Sequence, residues 1–198
     1  TEDLSCLPKV GLSDVPTDKF YPRPAISGPL TGYGTGCNGL VYQQLLVPLS
    51  ASDQRIWEVL PLLTQLWGEL GVGSMDYLAS QEHQLATCGG ISAYSVMRSV
   101  QDSGQAMGYA VLSTRGLARN IDAMSKLLLE TFDRLRLDEW SRISQILGQI
   151  RSRKVLGVVQ NAHSLALLAA SGAWSRLSSM NHQLSGLGSL AQYDDWCR

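Results

Sequence analysis

Apolar residues recur at intervals of three and four from Ile56 to Leu70. Ile56, Leu60, Leu63, Trp67 and Leu70 fall on one stripe of a helix. Val59, Leu62 and Leu66 widen the stripe, which predicts a deeply buried helix. Ser52 is placed to cap it, with Asp53 in the first turn, and Gly71 and Gly73 to end it. Ser74 is placed to cap a second, more polar helix to about Thr87, ended by Gly89-Gly90. Ahead of these helices, residues 29–35 and 39–49 read as strands. Asn38-Gly39 between them predicts a two-residue hairpin, because a type I′ turn needs positive φ at both positions. The second of these strands, LVYQQLLVPL, is apolar on both faces, which predicts an interior place in a sheet. Residues 91–101 and 105–114 read as a second antiparallel pair around Asp102-Ser103-Gly104. Asn120 then caps a helix with Ile121, Met124, Leu128, Phe132 and Leu135 on one face. Asp138 caps another, with Trp140, Ile143, Leu147 and Ile150 inward. From about Gln160 the pattern is helical, with breaks at Gly172, Gly186 and Gly188.

Strands, helices, strands and helices in that order, with hairpin links, predict an α+β fold: two layers, a mainly antiparallel sheet covered on one face by helices. Residues 1–27, with Pro8, Pro16, Pro22 and Pro24, read as an extended lead-in, and residues 28–198 as a single α+β domain. The start at Thr1 and the stop at Cys197-Arg198 read as a fragment of a larger multidomain protein. Charged residues make up 17% of the chain, below the usual figure of about 25%, so part of the surface is expected to be covered by something else. The net charge of −1 gives no electrostatic case for nucleic acid or an anionic membrane as partner. No apolar stretch reaches the roughly 20 residues that span a bilayer, and no basic and apolar leader opens the chain.

The candidate chemistry is sparse. Gly34-Thr35-Gly36-Cys37-Asn38-Gly39 matches G-x-G-x-x-G, but strand-like residues follow where a dinucleotide site needs a helix. Glu82-His83 resembles the end of H-x-x-E-H, in which two histidines on one helical face bind zinc and the glutamate is the general base. Here Ala79 stands in the place of the first histidine, and a single imidazole makes a poor zinc site, so the pair reads as a solvated helix face. His163 and His182 are isolated and read as structural. Cys6, Cys37, Cys88 and Cys197 are scattered without a C-x-x-C pair, which reads as free thiols rather than a zinc or redox centre. Asp194-Asp195 would diverge on a helix. The basic cluster Arg151, Arg153 and Lys154 reads as a solvated helix end, or as a contact with a peptide carboxylate or a neighbouring domain. These residues therefore give no catalytic, cofactor-binding or metal site.

Several stretches carry a family likeness in order. They are Thr35-Gly36-Cys37-Asn38-Gly39-Leu40-Val41-Tyr42, Leu60-Pro61-Leu62-Leu63-Thr64-Gln65-Leu66, Leu70-Gly71 with Met75-Asp76-Tyr77, Gly89-Gly90-Ile91-Ser92-Ala93 and Ser185-Gly186-Leu187. From about Gly28 onward the chain resembles the presequence protease branch of the pitrilysin and insulinase zinc metallopeptidases. The likeness is to the non-catalytic associated domain, third of four. It implies a zinc-dependent parent oligopeptidase whose halves close around unfolded peptides, with zinc in another domain and none in this segment. It further implies other domains of the same polypeptide as partners and a peptide substrate in the parent, while the lack of a disulfide pattern favours a cytoplasmic or organelle-matrix setting. The alternative is a stand-alone protein-interaction domain that keeps the fold without peptidase activity.

Overall fold

The structure of the chain is a computed structural model. It describes residues 11–15, 17, 18, 21–49, 54–99 and 106–198. Ser52, Asp53, the Asp102-Ser103-Gly104 turn, Cys6, Pro8 and Pro16 lie outside the described residues. The chain divides into two compact units, Thr1–Asn38 and Gly39–Arg198.

In the first unit a 3-10 turn at Leu12–Asp14 precedes two short strands, β1 (Pro24–Ser27) and β2 (Leu30–Tyr33). They pair antiparallel from Pro24↔Tyr33 to Ser27↔Leu30, around Gly28 at a φ of +56°. Pro24 opens β1, where a missing backbone donor costs least. Asn38 and Gly39 do adopt the positive φ values, 48° and 75°, that the turn reading required. The strands on either side nevertheless pair elsewhere, so the predicted hairpin is not formed. Residues 34–37 carry no strand structure and separate β2 from the turn, while the next strand finds a ten-residue partner further along.

The second unit begins with β3 (Leu40–Leu49) and holds a three-stranded antiparallel sheet in the order β3-β5-β4, with β4 at Ile91–Ser99 and β5 at Ala106–Leu117. The register runs from Leu40↔Leu117 to Leu49↔Gly108, and from Ile91↔Thr114 to Ser99↔Ala106. β5 holds the middle, so β3 is an edge strand of this sheet and not the interior strand its composition predicted. Pro48, which has no N–H to give, is tolerated at an edge. The inner face of β5 presents Gly108, Ala110, Leu112, Thr114 and Gly116. Two of these are notches. A Cβ at Gly108 would lie 1.5 Å from the Trp57 ring, and one at Gly116 would lie 2.7 Å from Met124 Sδ.

Those two side chains come from the helices that cover this face. The first, α1 (Gln54–Leu66), brings Trp57 and Leu60 into one core with Trp67, Ala110, Leu112 and Leu128. After α2 (Tyr77–Thr87) and the strand pair, a 3-10 turn at Ala118–Asn120 leads into α3 (Ile121–Asp133). Its Met124 and Leu127 pack with Cys88. The helical layer on one face of an antiparallel sheet is the α+β arrangement predicted above. The buried positions of α3 are Met124, Leu127, Leu128 and Thr131. Ile121 and Phe132 are exposed, because the stripe that meets the sheet is rotated toward the Met124 side. Ile56 and Val59 of α1 are likewise exposed.

Past α3 the chain is helical: α4 (Trp140–Gln160), α5 (Ala162–Ser171), α6 (Arg176–Leu184) and α7 (Ser189–Trp196). Ile143, Ile146, Leu147 and Ile150 of α4 form a second core with Leu66, Leu70 and Tyr193. Trp140, expected inward, is 72% exposed, since it sits in the first turn ahead of that buried stripe. Three caps also differ from the sequence reading. Asp76, not Ser74, caps α2 by accepting from Ala79 N at 2.9 Å. Asn120 spends its side-chain N–H on the Thr87 carbonyl at 3.0 Å. Glu139, not Asp138, precedes α4. Its carboxylate accepts from Gly71 N at 2.7 Å and Tyr77 N at 3.0 Å, tying the 71–77 loop to the start of α4. Asp138 pairs with Arg136 instead.

Two substitutions test this packing. Gly108→Ala is expected to displace the Trp57 indole and cost about 1–3 kcal/mol, read as a lower urea midpoint together with altered tryptophan fluorescence. Glu139→Ala strips a charged acceptor from two backbone donors and is expected to cost about 2–3 kcal/mol by the same denaturation. A midpoint unchanged in both variants contradicts the account.

Candidate functional site

The residues singled out in the sequence do not converge. Glu82 and His83 are exposed on α2. Among the described residues no three His, Cys, Asp or Glu side chains come together to hold a metal ion, and Glu82 with His83 supplies fewer ligands than zinc takes. His163 is exposed near the start of α5. His182 is half-buried on α6, with Nδ1 shielded and unpartnered, and a Cβ at Gly186 would lie 2.9 Å from that nitrogen. The G-x-G-x-x-G stretch leads into β3, not into a helix. Cys37, Cys88 and Cys197 are free thiols, with Cys88 buried. Asp194 and Asp195 diverge, the first to Arg151 and the second to Arg198.

The basic cluster splits in a way the sequence did not reveal. Arg151 is spent on Asp194. Arg153 and Lys154 instead line a pocket of about 430 Å³ between α1, α4, α5, the end of α6 and α7. Helical spacing explains the placement. Lys154 lies one turn beyond Ile150, on the face that α4 buries, so its stem enters the core while its head reaches the pocket. Its ammonium donates to Ser189 Oγ at 2.9 Å and sits 4.9 Å over the Tyr193 ring. Ser189 in turn donates to the Gly186 carbonyl at 2.7 Å. Burial holds Lys154 below the usual lysine range and pushes the Tyr193 phenol up to about 12. Tyr193 is 2% exposed and packs edge-on against Trp196.

Two apolar surfaces are also presented to solvent. The outer face of the sheet carries Tyr42, Leu46 and Tyr94, all exposed, around the buried Val111 of β5. A shallow cavity of about 360 Å³ opens at its end, lined by Tyr42, Gly89, Gly90, Ser92, Ser113 and Arg115 among others. The second half of α4 and α5 expose Val155, Leu156, Val159 and Leu167, with Val159 84% exposed, and Trp174 follows at 92%. Exposed side chains of this size are of the kind that contact surfaces use. No described helix is long and apolar enough to cross a membrane.

The family described as "Peptidase M-16C associated" matches residues 1–194. Presequence protease 1, chloroplastic/mitochondrial, of Arabidopsis thaliana is 21% identical over 194 residues, 96% of this chain and 18% of that protein. Presequence protease, mitochondrial, of Danio rerio is 23% identical over 192 residues, 94% of this chain and 19% of that protein. The mitochondrial presequence protease of Gibberella zeae is 26% identical over 200 residues, 96% of this chain and 20% of that protein. The chain thus spans about a fifth of the length of the curated relatives it matches.

The buried phenol supplies a check on the pocket. A group whose pKa is higher folded than unfolded adds stability in full below its unfolded value and loses it as pH rises. For Tyr193 that loss is expected between pH 10 and about 12. Ultraviolet titration of phenolate should show a late ionisation step that Tyr193→Phe removes; an unchanged titration curve contradicts the burial.

Proposed function

The chain belongs to the family of domains associated with M-16C peptidases, and on that premise we propose that it is a non-catalytic structural domain of a zinc-dependent oligopeptidase. In this reading it forms part of the wall of a closed chamber in which unfolded peptides are degraded. The observation that carries the proposal is the one-sided sheet: helices cover the inner face, while Tyr42, Leu46 and Tyr94 stand exposed on the outer one. An apolar face of this kind is stabilised by burial against another body. The chain spans about a fifth of each relative, so other domains of the same polypeptide are the natural bodies to cover it. Zinc and the general base would then belong to another domain, on an H-x-x-E-H segment. The wall's work is enclosure, which selects flexible, short substrates and keeps bulk water from the reaction. The relatives' names place them in mitochondria or chloroplasts, which favours an organelle matrix as the setting.

The test is made on the polypeptide that carries this chain. It is expected to contain H-x-x-E-H and to cleave short peptides when zinc is present, while the 198-residue chain alone cleaves none. Leu46→Glu, at an exposed position, is expected to leave the isolated chain folded and to lower cleavage by the longer polypeptide about tenfold or more. Zinc-dependent cleavage by the chain alone overturns the proposal. So does a carrying polypeptide without the zinc segment, which is the outcome a stand-alone interaction domain gives.

A further inference from the structure

The pocket between α1, α4, α5, α6 and α7 has a charge pattern that the packing of the helices does not require. Two cations line it, Arg153 and Lys154, and no acidic side chain does. The other cations nearby have found carboxylates: Arg151 holds Asp194, and Arg198 holds Asp195. Among the described residues Arg153 makes no ion pair, and Lys154 has a hydroxyl and an aromatic ring for neighbours but no anion. A half-buried ammonium has given up part of its hydration, and a neutral hydroxyl returns only some of it. The Tyr193 hydroxyl adds a third donor. Its ring is 2% exposed, it lines the pocket, and it makes no hydrogen bond among the described residues. Pro61, Ile150, Leu165 and Leu184 give the remaining wall its apolar part, with Gln65, Asn161 and Ser185 beside them.

Lys154 and Tyr193 are neighbours, with the ammonium 4.9 Å over the ring, and donors that share a pocket with apolar side chains fit an anion that has an apolar group attached to one side. A carboxylate beside an aliphatic side chain has that shape, and charge-assisted hydrogen bonds to it are the strong ones. Phosphate, with oxygens on every side, would leave those that face Ile150, Leu165 and Leu184 without partners. We propose that this pocket is a carboxylate-binding site that takes the C-terminal carboxylate of a peptide, with the apolar side chain of the last residue against Ile150, Leu165 and Leu184. Arg153 and Lys154 hold the carboxylate oxygens and Tyr193 donates the third hydrogen bond. That such a peptide is a substrate or product rests on the function proposed above; the binding itself does not.

The experiment is calorimetric titration of the full 198-residue chain with acetyl-alanyl-leucine, as the free acid and as the carboxamide. The acid is expected to bind saturably and the amide about tenfold or more weakly, the value of one charge-assisted contact. Arg153→Gln, at an exposed position, and Lys154→Met should each bring the acid down to the level of the amide while circular dichroism stays unchanged. Tyr193→Phe should weaken the acid and leave the amide alone. Equal binding of acid and amide, no saturable binding of the acid by the folded chain, or tighter binding of inorganic phosphate than of the acid each overturns the proposal. Neither cleavage nor zinc enters the measurement, so a failure here leaves the peptidase reading standing, and a failure of that reading leaves this result interpretable.

Discussion

The indole of Trp57 lies over Gly108, and the rest of the main unit is organised around that contact. The middle strand β5 has no side chain at Gly108 or Gly116, and into those two notches fall Trp57 of α1 and Met124 of α3. Close packing of this kind tolerates little change in volume. It brings both helices onto the same face of the strand and sets their separation. Leu112, fully buried, packs in the same core as Trp57 and as Leu128 of α3. The helical layer is thereby committed to one side, and the outer face keeps Tyr42, Leu46 and Tyr94 in water.

The same commitment explains how the pocket is built some distance away. The loop after α1 is held by Glu139, whose carboxylate receives the Gly71 and Tyr77 amides, while Gly73 N donates to the Arg134 carbonyl and Arg136 N to that of Gly71. That cluster anchors the first turn of α4. The apolar stripe from Ile143 to Ile150 then packs against Leu66 and Leu70 and carries α4 along α1. One turn beyond, Lys154 arrives beside Ser189 and Tyr193 of α7. Its position follows from helical geometry started at Glu139 and not from an ion pair of its own.

Most of the element order was legible in the sequence, because long apolar stripes and glycine breaks report local structure directly. The α+β layout, the pairing of β4 with β5 and the breaks between the last helices all followed from such signals. What was not legible depends on distant partners. Asn38-Gly39 has the turn conformation its residues favour, yet β3 pairs with β5, whose length and register no local pattern announces. The composition of β3 predicted an interior strand; its outer side chains Tyr42 and Leu46 are exposed. The preference for Asp76 over Ser74 as a cap turns on where Glu139 pulls the loop. In the pocket, the cluster of Arg151, Arg153 and Lys154 was visible as charge, but its division was not. Asp194 lies 43 residues from Arg151, and only the fold shows that it takes one cation and leaves two.

In the proposed reading, a sheet with one covered face is a component whose outer face is covered by the rest of a longer polypeptide. The central expectation of that proposal is protection of the outer sheet face in the carrying polypeptide. Oxidative footprinting of Tyr42 and Tyr94 measures this directly, in the isolated chain and in the longer polypeptide under the same conditions. The account expects both tyrosines to be modified readily in the isolated chain and to be strongly shielded in the longer one; equal modification in the two contradicts it.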